Sequence, residues 1–353
     1  MNPAFWKEKR VLLTGHTGFK GGWLSLWLQN AGADLYGLAL EPPTGPNLFS
    51  AARIDDGMHS TFGDIRDFDV VKHAVEYCKP EIIIHMAAQP LVRYSYQHPI
   101  ETYETNVMGT VHVLEAAKQV GSTRVIINVT SDKCYENNEW VWGYRENEPM
   151  GGFDPYSSSK GCAELVTSAY RRSFLADAGV GLASVRAGNV IGGGDWAEDR
   201  LIPDILRAFE ESRPLIIRNP NAVRPWQHVL EPLSGYLQLA ERMWEDPARY
   251  AGAWNFGPGD EGAYTVQWVV GHLASAWSGT MTWELEHNAQ PHEAGYLKLD
   301  CSKARALLHW QPRWDIEVAL RLIIEWHKAF LSGYDMRAVT LNQIKQYQEA
   351  GAS

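Results

Sequence analysis

The chain has 353 residues, enough to bury a sizeable core in one large domain or two medium ones. Hydrophobic residues make up 45% and charged residues 21%, a balance that excludes a disordered polypeptide. Its 32 lysines and arginines face 42 aspartates and glutamates, and the net charge of −10 opposes broad binding to nucleic acid or to an anionic membrane.

Four cysteines, Cys78, Cys134, Cys162 and Cys301, stand far apart with no CxxC spacing, so reduced thiols are expected rather than disulfides or a structural metal. The twelve histidines form neither HxxxH nor HExxH, and no metal is expected. The opening residues, MNPAFWKEKR, run straight into a strand, and no apolar run of about 18 residues follows. A cytoplasmic protein is the expectation.

Residues 10–15 (RVLLTG) read as a buried strand, followed by a glycine turn and a helix from Trp23 to Asn30. Residues 35–40 form a second strand, and a Pro/Gly-rich loop covers 41–50. Residues 61–64 end a third strand, Asp69 to Lys79 is a helix that Pro80 breaks, and residues 81–86 start a fourth strand. One long helix, about Pro99 to Val120, precedes a fifth strand at 125–129. A helix opening at Tyr156 leads to a sixth strand at 181–186. Strands and helices alternating at this spacing imply right-handed crossovers and a parallel sheet covered on both faces, a Rossmann-type doubly wound α/β fold.

Beyond that the pattern loosens, with a helix at 201–211, a small strand at 215–217, a helix at 233–245, and short mixed elements to about Phe330. The polar tail, 339–353, is expected to be loosely attached. The division expected is a nucleotide-binding domain over 1–188 and a smaller mixed substrate lobe over 189–353, part of which returns to the sheet.

Gly15-His16-Thr17-Gly18-Phe19-Lys20-Gly21 is GxxGxxG between strand and helix. Glycines there allow a tight turn, close approach of the backbone to a pyrophosphate, and helix–strand packing, with the helix N-terminus facing the phosphates. The second strand ends in Leu38-Ala39-Leu40 before Glu41, with no arginine to meet a 2′-phosphate, which favours NAD over NADP. Asp64-Ile65 suits the edge and face of an adenine, unless Asp64 merely caps the helix that follows. The fifth strand spills Ser131, Asp132, Lys133 and Tyr135 off its end, and Tyr156 and Lys160 share one helical face.

With the glycine turn, Asp64-Ile65, His85-Met86-Ala87-Ala88-Gln89 and Tyr156-x-x-x-Lys160 in order, the chain resembles the extended short-chain dehydrogenase/reductases, and within them the nucleotide-sugar 4,6-dehydratases. The likeness is strongest to the branch acting on CDP-glucose, through TGHTGFKGGWL at 14–24, TSDKCYEN at 130–137, DPYSSSKGCAEL at 154–165, RAGNVIGGGDW at 186–196, DRLIPD at 199–204 and RPWQHVLEPL at 224–233. The resemblance implies NAD as a cofactor regenerated in each turnover. Hydride leaves C4 of the glucose, water is lost across C5 and C6, and hydride returns to C6. The CDP-4-keto-6-deoxyglucose formed feeds deoxysugars of surface polysaccharides such as lipopolysaccharide O-antigen. A homodimer or homotetramer paired through helices at about 99–120 and 156–176 is also implied. A nucleotide-sugar 4-epimerase, or a 4,6-dehydratase for another nucleotide sugar, is the alternative.

Roles follow from the same resemblance. Tyr156 takes the 4-hydroxyl proton; a free phenol near pKa ~10 is a poor base at neutral pH, and the charge of Lys160 is expected to lower it. Ser131 hydrogen-bonds the same hydroxyl. Asp132 protonates the departing 6-hydroxyl, for which its pKa must be raised. Lys133 stands where many relatives carry a glutamate base for the C5 proton. It is a base only if neutral, and otherwise a cation steadying the enolate or a group orienting Asp132. Gly15, His16, Thr17, Gly18, Phe19, Lys20, Gly21, Asp64, Ile65, Ala87, Ala88, Gln89, Asn106 and Thr130, with Tyr156 and Lys160, are expected at the cofactor. Gln89, Ser131, Asn189, Arg200, Arg224 and His292 are expected at the substrate. Trp140 and Trp142 either close over the site or pack in the core.

Overall fold

Buried apolar runs become a central sheet of β1 (Arg10–Thr14), β2 (Asp34–Ala39), β3 (His59–Phe62), β4 (Ile82–His85), β5 (Val125–Val129), β6 (Gly181–Arg186) and β7 (Gly252–Asn255) in this computed structural model, which describes residues 1–259, 262–277, 282–286 and 296–351. Every residue of β4, β5 and β6 is buried, as parallel strands covered on both faces require. The order is β7-β6-β5-β4-β1-β2-β3 and every pairing is parallel. The order reverses between β1 and β4, and the crevice at the carboxyl ends of those strands is where such sheets bind ligands. Thr14, His85, Asn128 and Ser184 lie in register across β1, β4, β5 and β6 at that end.

Alternate residues of the strands feed two cores. Leu12, Ile83, Ile126 and Leu182 point to the face covered by α2 (Phe68–Cys78) and α3 (Gly109–Val120), where they meet Val75 and Val113. Leu13, Ile84 and Ile127 join the other core with Trp27 of α1 (Phe19–Asn30). α4 (Pro155–Tyr170) carries the Tyr/Lys pair. Past residue 189 come α5 (Leu201–Glu210), α6 (Leu230–Glu245), α7 (Val266–Trp277), α8 (Ile316–Leu331) and α9 (Met336–Glu349). Ile205, Leu206, Val270, Leu320 and Ile323 form a third core among α5, α7 and α8, whereas Tyr236 of α6 and Tyr347 of α9 join the sheet core. β7 pairs with β6 and so returns to the sheet.

Three expectations need correction. The stretch 99–120 is not one α-helix: Pro99–Tyr103 passes into a π turn, Glu104–Met108, before α3. The loop 41–50 contains the start of a one-turn helix, Leu48–Ala51, with Leu48 and Phe49 buried. The tail is docked rather than loose. Met336, Thr340, Ile344 and Tyr347 recur at helical spacing on one buried stripe that polar neighbours conceal in the sequence. The Tyr347 ring meets Trp314 at 4.9 Å and Trp27 at 5.7 Å, and its hydroxyl donates to buried Glu231 at 2.6 Å.

Candidate active site

A cavity of about 840 Å³ opens at the switch point, within the size range of ligand sites. One end is the glycine turn. Gly15 has φ +80°, and a Cβ there would lie 2.7 Å from the Ala87 nitrogen, so only glycine lets β1 and β4 close together here. Gly18 caps α1 without a side-chain bond, which leaves the first N–H groups of that helix facing the cavity beside Thr17, Phe19, Lys20 and Gly21. Thr14 Oγ1 accepts from the Met86 and Ala87 nitrogens, both at 3.1 Å, and so aims Ala87, Ala88 and Gln89 into the cavity. Asp64 and Ile65 line the same end, the Asp64 carboxylate paired with Arg66 at 2.6 Å. This cradle fits a dinucleotide, the helix N-terminus meeting its phosphates.

At the other end, β5 delivers Thr130, Ser131, Asp132 and Lys133, and α4 delivers Tyr156 and Lys160. The helix starts sharply. Asp154 accepts from Ser157 N at 2.9 Å, Pro155 occupies the first helical position, and Tyr156 N donates to Ser95 Oγ at 3.1 Å. Tyr156 is thereby fixed in the first turn, with Lys160 one turn on.

Asp132 is 2% exposed. Its Oδ1 accepts from Ser131 Oγ at 3.1 Å, and its Oδ2 has no partner among the described residues. A Cβ on Gly188 would overlap this carboxyl group, so glycine is required where β6 runs out. Burial raises the Asp132 pKa, against the opposing pull of Lys133 and Ser131. A raised pKa is what a carboxyl group needs in order to donate a proton near neutral pH. Lys133 is half-buried, lines the cavity and donates its backbone N–H to Ser131 Oγ at 3.2 Å.

Burial likewise pushes the Tyr156 phenol up to about 12, with Ser131 and Arg200 pulling it down. Lys160, expected to act on the phenol, makes its hydrogen bond elsewhere. Its Nζ turns to the Val129 carbonyl at 3.4 Å, and burial brings Lys160 itself down to about 8.

Beneath the loop lies a network that the sequence reading missed. Arg186 Nη2 meets Glu164 Oε2 at 2.7 Å and Nε meets Oε1 at 2.9 Å, both groups buried. Ser184 and Thr130 hydroxyls donate to the same carboxylate, and Arg186 also donates to Tyr135, whose hydroxyl donates to Asn255 at 2.8 Å. α4, β5, β6 and β7 are thus joined directly under Asp132. Glu164 follows Lys160 by four residues, and that spacing was the available signal.

The outer wall comes from the chain beyond residue 188. Asn189 (φ +48°), Arg200 and Arg224 all line the cavity. Arg200 pairs with Asp195 at 2.9 Å. Asp199, unremarked as a bridge in the sequence, joins Arg93 at 2.9 Å to Arg218 at 2.6 Å across the cavity mouth.

Several expected contacts turn elsewhere. His16 is fully buried outside the cavity lining, its Nε2 2.7 Å from Ser60 Oγ, and burial holds it at about 4. Asn106 braces rather than lines: its Oδ1 accepts from Gln89 N at 2.9 Å and its Nδ2 donates to Ser159 at 2.9 Å. Gln89 does line the cavity, but its amide is engaged by Thr102 and Leu91. Thr130 lines it with its hydroxyl turned to Glu164. Trp140 stacks on Tyr144 at 5.2 Å against the core, Trp142 meets Trp140 at 5.8 Å but is itself exposed, and neither lines the cavity, so the core-packing alternative holds for Trp140 alone. His292 lies outside the described residues.

A tyrosine and a lysine one helical turn apart, facing a dinucleotide-sized cavity in this sheet topology, mark the short-chain dehydrogenase/reductases, and the substantial C-terminal lobe marks their extended class. Within that class, residues 12–323 match the family described as GDP-mannose 4,6 dehydratase, and the chain belongs to that family. It is 59% identical to a CDP-glucose 4,6-dehydratase of Salmonella typhimurium, over 99% of each chain. A dTDP-glucose 4,6-dehydratase of Haemophilus influenzae is 25% identical, over 90% of this chain and 97% of that one. Among solved structures, a dTDP-glucose 4,6-dehydratase of Streptomyces venezuelae with NAD and TYD bound superposes with a TM-score of 0.79 at 21% identity, covering 93% of this chain and 99% of the other. A UDP-glucose 4-epimerase of Thermotoga maritima with UDP-glucose gives 0.77 at 20%, over 91% and 99%. The last two likenesses concern the fold.

Proposed function

We propose that this protein converts CDP-glucose to CDP-4-keto-6-deoxyglucose and water. The observation that carries the reading is Asp132, a carboxyl group whose pKa burial raises, in the same cavity as Tyr156. An epimerase has no use for that acid; loss of water does. The 59% identity to a protein named for this reaction supports the same substrate.

NAD, when bound, supplies the hydride acceptor at C4 and the hydride donor at C6. Tyr156 takes the 4-hydroxyl proton, with Ser131 holding the same oxygen. Lys160, its Nζ beside the Val129 carbonyl, holds the ribose next to the reacting ring. A C4 ketone makes the C5 hydrogen acidic, and Lys133 is the group assigned to that proton. Asp132 protonates the 6-hydroxyl as it leaves as water. Arg200, Arg224 and Asn189 hold the sugar and diphosphate, Arg being suited to bidentate contact with phosphate oxygens. Counted over one turnover, Tyr156 ends with one proton too many and Asp132 with one too few.

The division at residue 189 into cofactor and substrate lobes belongs to the same proposal, as does a cytoplasmic, biosynthetic setting. A homodimer or homotetramer would cover Ile100, Met108, Leu165 and Phe174, which are exposed on the helices of 99–120 and 156–176. The test is incubation with CDP-, dTDP-, UDP- and GDP-glucose without added cofactor, following loss of water by mass and the alkali-induced absorbance of a 4-keto-6-deoxy sugar. Product from CDP-glucose is expected. An isomer of unchanged mass, or no product, overturns the reading.

A further inference from the structure

The ladder between β6 and β7 closes with the bond from Phe256 N to the Arg186 carbonyl at 2.8 Å. The carbonyls that follow, on buried Gly188 and Phe256, need donors from elsewhere, because a buried backbone C=O left unpaired is costly. Gln227 supplies them. It is 3% exposed, and its Nε2 donates to the Gly188 carbonyl at 3.2 Å and to the Phe256 carbonyl at 3.0 Å. A carbonyl can only accept, so the nitrogen of the amide must face both, and its two N–H groups are both engaged. The backbone N–H of the same residue donates to the Asn189 carbonyl at 3.2 Å. One residue therefore ties down two consecutive carbonyls where Asn189 takes up a left-handed conformation, φ +48°.

Gly188 is the backbone against which Asp132 rests. Ser131 Oγ fixes Asp132 Oδ1 at 3.1 Å, whereas Oδ2 lies where a Gly188 Cβ would stand. Gly188 thus closes over the half of the carboxyl group that Ser131 does not hold. Gln227 itself does not line the active-site cavity, so its effect on Asp132 passes through the backbone it holds.

We propose that Gln227 is a positioning residue for Asp132: its amide holds the Gly188 backbone against the carboxyl group, which fixes the aim of that group and keeps water from its Oδ2 side. The inference rests on the reading of Asp132 as the acid of a dehydratase. Without the amide, two buried carbonyls lose their donor, and residues 187–189 must shift to find another or admit water. Either response opens space beside Asp132. Loss of water, the half of the reaction that uses this acid, then slows. Oxidation at C4 does not, because Tyr156 and Lys160 stand on α4 and the cofactor turn on β1 and α1.

The competing explanation is that Gln227 merely splices β6 to β7, so that its loss lowers stability and leaves the two halves of the reaction in balance. Gln227→Met keeps the length and removes both N–H groups; Gln227→Glu keeps the shape and retains one donor at most. On rapid mixing with CDP-glucose, Gln227→Met should accumulate reduced nicotinamide, seen by its fluorescence. Its 4-keto-6-deoxy product should form more slowly than the parent's by about 10-fold or more, since a misplacement of ~1 Å is enough for ~10²-fold. Gln227→Glu should show the same accumulation with a rate between the two. NAD extracted per protomer should be unchanged in both. Parental product formation by Gln227→Met overturns the proposal, and so does slow product formation with no more reduced cofactor than the parent carries. Thermal melting checks both folds, and Gln227→Glu carries the test alone if Gln227→Met does not fold. A parent enzyme inert toward CDP-glucose refutes the function instead, and parental turnover by Asp132→Asn refutes the acid, so neither failure is confused with that of Gln227.

Discussion

Asp132→Asn should split the reaction between its redox and elimination halves. Asparagine has the shape of the carboxyl group, so Ser131 Oγ keeps its acceptor and the fit against Gly188 is preserved. Tyr156 and Lys160 are untouched, and oxidation at C4 proceeds. What disappears is the proton for the leaving hydroxyl. Loss of a general acid costs about 10²–10⁴ in rate, or about 3–5 kcal/mol of barrier. The variant should therefore stall with reduced nicotinamide on the protein, visible on rapid mixing with CDP-glucose as fluorescence that rises and persists, while 4-keto-6-deoxy product forms hundreds of times more slowly, within roughly that range. Stability should move the other way. Burial raises the folded-state pKa of Asp132 above its ordinary value of 3.8. Such an acid is neutral for stability below 3.8, and costs stability as pH rises through the folded-state value, since the unfolded chain ionises first. At neutral pH the asparagine variant should melt at the parental temperature or above. Near-parental turnover, or a stable variant that accumulates no reduced cofactor, refutes the assignment of Asp132 as the acid.

Glu164→Gln should leave Arg186 buried without its charge partner and destabilise the protein by about 3–5 kcal/mol, measured by chemical denaturation. Burial raises the Glu164 pKa, but Arg186, Ser184 and Thr130 outweigh it and hold it below 4.5. Its stabilisation is thus complete above 4.5 and lost as pH falls through the lower folded-state value, so the variant should show a weaker acid dependence of stability. A loss under about 1 kcal/mol would refute the role of the pair. Tyr347→Phe removes the hydroxyl that donates to buried Glu231 and should cost about 1–3 kcal/mol. The same denaturation measurement checks it, and an unchanged midpoint would mean that α9 is not anchored there.

The parts of this molecule that were legible in the sequence are those set by local patterning. Val11 to Leu13, Ile82 to Ile84 and Val125 to Ile127 are apolar on both faces, and only a sheet covered twice can bury them. The glycine turn was legible because Gly15 answers to a backbone approach that no other residue permits. What escaped was direction. His16 and Asn106 sit at the right places in the chain, but their side chains are claimed by Ser60 and by Gln89 and Ser159, partners fixed only by the fold. α9 escaped for another reason: its stripe of five buried residues includes Thr340 and Gln343 and is flanked by further glutamine, asparagine and lysine, so composition suggested a loose tail.

Tyr156, Lys160 and Glu164 share one repeated spacing on one helical face, yet they divide between chemistry and support. The first two look into the cavity; the third looks away from it, to Arg186 at the end of β6. Thr130, which links β5 to that carboxylate, is followed immediately by Ser131 and Asp132. Asp132 therefore leaves the sheet two residues beyond a buried clamp, with Gly188 closing on it just past the strand that holds the arginine. Rigidity of this kind preserves the burial that raises the Asp132 pKa, because a mobile loop would let water in and lower it. On the proposal that Asp132 is the acid, the Arg186–Glu164 pair, which supplies no atom to the reaction, is what holds that acid in place.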